Sequence, residues 1–300
     1  MAKEIDNVIG ILFNLISMLL FVSLDILVKK LVVDLPVYEV IFFRCIFGIP
    51  IFIFIVYFTT GLSSLRMVNK KLQLCRAFLG IAGMFFFFNS YKYLAMADAA
   101  SILFSAPLIL TVLSVVFLKE KVGLHRVSAI IVGFIGVLFI VRPVGNSLSF
   151  HMLLPVMGAV IWSVVIIVMR VLSRTDHANA VTLVFSLLGS CVGFGLVMYN
   201  GGFSPNITPL QFVMLIGTGI VGIFAQWFMT KAVEWSEASV FASTKYVNLV
   251  FSILAGLIVF GEVPVFYSII GIVLIVVSGL YNVYREYVLN KIQKARMIRY

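Results

Sequence analysis

Charged residues are scarce in this chain. Asp, Glu, Lys and Arg make up 11% of its 300 residues, where a soluble globular protein carries about 25%. With 62% hydrophobic residues and a mean hydropathy of +1.16, the polar surface of a soluble domain cannot be built. Cysteine is sparse too. Cys45, Cys75 and Cys191 are odd in number, far apart and set within apolar runs, which gives neither a disulfide framework nor metal-ligand spacing; they are expected to be small core residues. His125, His151 and His177 fall at segment edges and form no HExxH or other ligand pair, so no metal or other cofactor is expected. The sequence also lacks GxxxxGK[ST], GxSxG and an acid-rich prenyl-transfer motif. ATP is thereby removed as a direct energy source, and an intramembrane protease or lipid transferase is left without its reacting groups. The expectation is a protein that is not an enzyme.

What the chain has in abundance is apolar runs of about 20 residues separated by short breaks, the length needed to cross a bilayer core. They predict an all-α polytopic membrane protein of about ten transmembrane helices. The first five are Val8 to Lys30, Val37 to Thr59, Leu72 to Leu94, Ala97 to Leu118 and His125 to Val141. The second five are Met152 to Leu172, Ala180 to Tyr199, Leu210 to Val233, Ala238 to Phe260 and Pro264 to Tyr284. The first run is longer than a signal-peptide core and lacks a small-residue cleavage site, so it reads as a retained helix. Asn206-Ile207-Thr208, followed by Pro209, reads as a turn and not as a glycosylation site.

The net charge of +10 does not point to nucleic acid, because the basic residues sit between apolar runs instead of forming a stripe with aromatics. It is a topology signal. Arg66, Lys70 and Lys71, then Lys119, Lys121 and Arg126, then Arg170 and Arg174, and the tail from Arg285 to Arg299 all fall on one side; Lys29, Lys30, Lys92 and Arg142 fall on the other. Cytoplasmic loops keep the positive charge, so both termini are expected in the cytoplasm. The basic tail can lie on anionic lipid. No obligate protein partner is evident; the expected partners are the lipid bilayer and a small-molecule substrate.

A self-similar pattern supports this arrangement. Ala100-Ser101 and Glu120 are echoed by Ala242-Ser243 and Glu262 at an offset of 142 residues. An offset of five helices is odd, so the halves must be inverted in the membrane, an architecture recurrent in secondary transporters. The expected units are a five-helix repeat over 1–145, a second over 146–284, and a basic tail over 285–300. Glu120 and Glu262, beside turns, read as architectural anchors.

Ionisable and polar groups inside hydrocarbon are costly, and they mark cavities or partners. Asp25, in the outer third of the first helix, and Arg44, about 10 Å into the second at 1.5 Å per residue, are a candidate charge pair or coupling site, expected to pair or jointly line the outer vestibule; the competing reading pairs Asp25 with Lys29 one turn on. Lys245 sits near mid-depth with Asn248 on the same face and Tyr246 nearby. It reads either as a cationic wall for a substrate or as a lysine held by neighbouring helices. Trp162 is far from the interfacial belt, so it is an aromatic wall or a packing residue. Gln226, Asn89, Ser101 and Ser105 complete the candidate substrate-binding set. Asn14 and Ser17 also lie at useful depth, Glu39 reads as an interfacial residue, and the run Phe85 to Phe88 reads as lipid-facing and packing surface.

The stretches Ala97-Asp98-Ala99-Ala100-Ser101-Ile102-Leu103-Phe104-Ser105-Ala106-Pro107-Leu108, Gly133-Phe134-Ile135-Gly136-Val137-Leu138 with Arg142-Pro143, Phe260-Gly261-Glu262-Val263-Pro264, and Ser278-Gly279-Leu280-Tyr281 with Arg285-Glu286 resemble the drug/metabolite transporter superfamily, specifically its ten-helix EamA-type members. The resemblance covers nearly the whole chain and looks most like the branch of carriers for S-adenosylmethionine and riboflavin uptake. That branch commonly places charged residues where Lys245 and Asn248 stand; the neutral Asn248 is a departure. The resemblance implies a central cavity between inverted halves and alternating access. The expected function is a secondary carrier of a small polar organic metabolite, with uptake of S-adenosylmethionine or a similar cofactor-like or nucleoside-like solute as the first choice. Riboflavin uptake and export of an amino acid, metabolite or drug are the alternatives within the family, and a channel or scramblase is the alternative outside it.

Overall fold

The computed structural model describes residues 7–103, 105, 106, 108, 109, 124–141, 150–236 and 246–297. Its helices are α1 (Asn7–Leu31), α2 (Val37–Ile46), α3 (Gly48–Thr59), α4 (Lys70–Ser90), α5 (Met96–Leu103), α6 (Leu124–Val141), α7 (Leu153–Leu172), α8 (Ala178–Tyr199), α9 (Pro209–Trp235), α10 (Tyr246–Phe260) and α11 (Phe266–Met297). Short 3-10 turns at Leu62–Leu65 and Phe150–Met152 precede α4 and α7. No strand occurs among the described residues, and the chain is an all-α polytopic membrane protein. Among the described residues six segments are long and apolar enough to cross a bilayer: Val8–Leu31, Val37–Thr59, Lys70–Ser90, Phe150–Leu172, Ala178–Tyr199 and Pro209–Trp235. Shorter apolar helices at Ser128–Ile140, Val247–Phe260 and Phe266–Tyr281, together with α5, occupy the remaining predicted spans.

Local chemistry accounts for where the elements stop. The second span is broken at Phe47 into α2 and α3, because Pro50 has no N–H to give the Ile46 carbonyl and its ring crowds that carbonyl. The third ends at Ser90, short of the predicted Leu94. The side chains of Asn89 and Ser90 turn back onto the Phe85 and Phe87 carbonyls at 2.8 and 2.6 Å, competing with the helical ladder. The Asn206-Ile207-Thr208 turn delivers Thr208 as the N-cap of α9 in a capping box with Gln211, with Pro209 as the first helical residue; proline is well suited there. The last helix runs on to Met297, so the backbone of the expected tail continues α11 without a break. Cys45 is buried, whereas Cys75 and Cys191 are exposed on the outside of the bundle; only the first is the core residue expected from composition.

The packing follows a pseudo-twofold exchange of the five-span halves. α1 lies along α9, and its counterpart α7 lies along α4; α9 also meets α2 as α4 meets α8; α1 touches α10 as α7 touches α5. The pairs α2 with α8 and α6 with α11 map onto themselves. These are two inverted five-helix repeats. Lipid cannot drive such helices together by hydrophobic burial, so small residues at the crossings matter most. At the α6 to α11 crossing a Cβ built on Gly136 would stand 2.8 Å from the Gly271 carbonyl oxygen, and one on Gly271 would stand 2.5 Å from the Gly136 carbonyl oxygen. The two backbones touch.

Candidate functional site: a cavity between the repeats

Between the halves lies a cavity with about 1130 Å³ of atom-free space, its mouth included. Its lining comes from α1, α2, α4 and α5 of the first repeat and from the corresponding α7, α8, α9 and α10 of the second. The described residues of α6 and α11 take no part in the lining. On α1 the lining positions Asn14, Ser17, Phe21 and Asp25 recur at helical spacing, as do Arg76, Gly80, Gly83 and Phe87 on α4; each set is one face of its helix. The walls are mostly hydrocarbon and aromatic, with a few polar groups, the usual make-up of a small-molecule site.

Five residues singled out by sequence meet here: Asp25, Arg44, Trp162, Gln226 and Asn248 all line the cavity. Asp25 and Arg44 share it without an ion pair between them; Lys29 is bonded instead to Glu262. Neither ion pair considered for Asp25 forms; its carboxyl instead lines the cavity jointly with Arg44, with Arg44 and Tyr91 as its electrostatic neighbours. The Asn248 Oδ1 atom is buried without a hydrogen-bond partner. Gln226 bonds Thr230 one turn away at 3.4 Å, and the neighbouring Ser17 hydroxyl donates to the Ala225 carbonyl at 3.0 Å, joining α1 to α9.

Three other candidates stand outside the lining. Ser101 donates to the Ala97 carbonyl and Ser105 to the Ile102 carbonyl, so both hydroxyls are spent within their own helical segment. Asn89 is engaged at the end of α4 as described above. Lys245 lies outside the described residues, as does Glu120; Tyr246 is placed as the first residue of α10. The reading of Phe85 to Phe88 as lipid-facing is corrected in part. Phe85 is exposed, but Phe87 and Phe88 line the cavity and Phe88 is buried.

Residues not nominated from sequence are as informative. Arg76 is fully buried, lines the cavity, and shares with Arg44 the ring of Phe185. Its signal was visible, since it is an arginine within an apolar span, as Arg44 is. Glu39, expected at the interface, is buried; one carboxylate oxygen accepts from the Ser204 N–H and hydroxyl at 2.8 and 2.9 Å, pinning the loop before α9.

Different polar networks join the two repeats at the two ends of the bundle. Where α1 ends, Lys29 bonds Glu262 and donates to the Leu94 carbonyl at 3.1 Å, while Glu262 accepts the Met96 N–H at 2.9 Å and so caps α5. At the opposite face Asp176 bonds Gln73 and accepts the Val68 and Asn69 N–H groups. Asn179 there donates to Thr60 and Ser64 and accepts from the Trp227 indole at 2.6 Å. Each network joins one repeat to the other.

Known proteins share this layout. A pseudopaline exporter of Pseudomonas aeruginosa is 27% identical over 270 residues, covering 90% of this chain and 94% of its own. A riboflavin transporter of Vibrio cholerae is 30% identical over 217 residues, 72% of each chain. An S-adenosylmethionine uptake transporter of Rickettsia bellii is 27% identical over 286 residues, covering 93% and 94%. A solved crystal structure superposes with a TM-score of 0.65 at 20% identity over 91% of this chain and 95% of that one, which speaks to the fold alone. The model of the EamA-like transporter family matches twice, over residues 8–142 and 149–284, one match for each half of the pseudo-twofold bundle. With two such halves lining a central cavity, the chain belongs to the EamA-like transporter family.

Proposed function

We propose that the protein is a secondary carrier in a bacterial inner membrane, with both termini cytoplasmic, that moves a small polar organic metabolite by alternating access. S-adenosylmethionine or a similar cofactor-like or nucleoside-like solute is the first choice of cargo. The observation that carries this reading is the cavity, built by four spans of each repeat. Rocking one half against the other would expose such a site to each side in turn.

Counterflow in proteoliposomes loaded with S-adenosylmethionine, riboflavin, amino acids or nucleosides tests it, with and without imposed gradients. Saturable uptake that an unlabelled competitor suppresses is the expected result; linear, competitor-insensitive flux would make the protein a pore. Trp162 supplies a second check. An aromatic contact is worth about 0.5–1.5 kcal/mol beyond its buried area, so Trp162→Ala is expected to raise KM for the cargo roughly 2- to 12-fold, with Trp162→Phe close to wild type. Equal KM in all three proteins would leave Trp162 as a packing residue.

A further inference from the structure

Two guanidinium groups in the cavity form no ion pair among the described residues. Arg44 comes from α2 and Arg76 from α4, with 5% and 1% of their surfaces exposed. Their guanidinium carbons lie 5.2 and 4.4 Å from the centroid of one ring, Phe185 of α8. Among the described residues their hydrogen-bond acceptors are sulfurs: Arg44 Nη1 is 3.9 Å from Cys45 Sγ, and Arg76 Nη2 is 3.9 Å from Met169 Sδ. Sulfur is a weak acceptor. The Nε atoms of both residues and Nη1 of Arg76 are buried and make no hydrogen bond. Asp25 acts on Arg44 through its field alone, and no carboxylate among the described residues forms an ion pair with Arg76.

A structural role does not account for this. A ring face attracts one cation, but the gain is small beside the desolvation of a buried ion, and a second cation on the same ring adds repulsion. The surroundings nevertheless leave room for both side chains. A Cβ on Gly222 would come within 3.2 Å of Arg44 Nε, and one on Gly80 within 2.9 Å of Phe185 Cε2. Bare backbone therefore stands at both places where the cluster needs space.

We infer that Arg44 and Arg76 form a clamp for an oxyanion of the cargo, so that the transported solute carries a carboxylate or a phosphate. The clamp presupposes that this cavity is the carrier's substrate site. A guanidinium offers parallel donors matched to either group, and two of them from different spans close around a single anion. The charge they lack is then brought by the substrate. Solutes whose polar groups are all neutral are the poorer cargo.

Thermal unfolding of the purified full-length protein with matched solutes tests this: AMP against adenosine, FMN against riboflavin, S-adenosylmethionine against its methyl ester. In at least one pair the anion-bearing member is expected to bind at least tenfold tighter than its partner. Arg76→Met and Arg44→Met should abolish that preference without lowering the melting temperature of the ligand-free protein, because each removes an unneutralised buried charge. No preference in any pair, or a preference that survives both substitutions, overturns the clamp. Should a methionine variant fail to fold, Arg44→Lys and Arg76→Lys decide: anion binding weakened tenfold or more supports it, and unchanged binding overturns it. Counterflow with the same pairs separates the two readings. Transport of the anion-bearing members by the arginine variants at the wild-type rate keeps the carrier and removes the clamp; anion-selective binding with no transport of any solute keeps the clamp and removes the carrier.

Discussion

Glu262→Ala is expected to abolish transport and to lower the melting temperature of the purified protein by several degrees. Glu262 closes a link between the repeats: its carboxylate holds Lys29 at the end of α1 and the first N–H of α5. Lys29 also lies 5.1 Å from the Phe260 ring. Removing the acid leaves a lysine whose side chain is 10% exposed with the Leu94 carbonyl as its remaining oxygen partner, and strips the cap from α5. Breaking a buried pair from one side costs about 3–5 kcal/mol. The Glu262 side chain keeps 25% of its surface exposed, so about 2–3 kcal/mol is the better expectation. Glu262→Gln retains an acceptor for the Met96 N–H but not the charge, and should fall between. If opening of this face is what breaks the link during transport, Lys29→Met/Glu262→Met, with both charges gone, will recover stability while the balance between the two faces stays shifted. Differential scanning fluorimetry and counterflow on the four proteins separate these effects. Wild-type stability and transport in Glu262→Ala would show that the link is incidental.

Gly136→Leu and Gly271→Leu are each expected to leave no folded monomer in detergent, read as loss of the monodisperse peak on size exclusion. Overpacking a core costs about 1–3 kcal/mol when side chains can shift. Here the opposing atom is a backbone carbonyl oxygen, at 2.8 Å from the added Cβ in one case and 2.5 Å in the other, and it can move only with its whole helix. Even Gly136→Ala and Gly271→Ala should lower the melting temperature. Gly195, where an added Cβ meets nothing within 4 Å, is the control, and Gly195→Ala should unfold like wild type. A Gly136→Leu protein that eluted and melted as wild type does would mean the α6 to α11 contact contributes little.

The sequence disclosed depth well and direction poorly. Apolar windows located the spans, and the offset between Glu120 and Glu262 disclosed the inverted halves, because both follow from the thickness of a bilayer and the order of the chain. Depth alone then nominated Ser101, Ser105 and Asn89 on equal terms with Gln226 and Asn248. Their separation depends on where each side chain points, and the three that fell away had carbonyls in reach within their own helix or helical segment. The helical spacing of Asn14, Ser17, Phe21 and Asp25 was legible and would have turned scattered polar residues into one face. Arg76 was passed over although it meets the same criterion as Arg44. The bond from Lys29 to Glu262 joins residues 233 positions apart, and no local pattern encodes it.

The pairing of α1 with α9 bears on how the protein is made. The first helix enters the membrane carrying Asn14, Ser17 and Asp25 on one face, and the helix against which it packs most extensively, α9, begins only at Pro209. Until then Ser17 lacks the Ala225 carbonyl to which it donates. α4, with Arg76, waits in the same way for α7. Neither half can complete its own fold before the other is synthesised, so the chain assembles as one unit after its later spans have emerged from the ribosome.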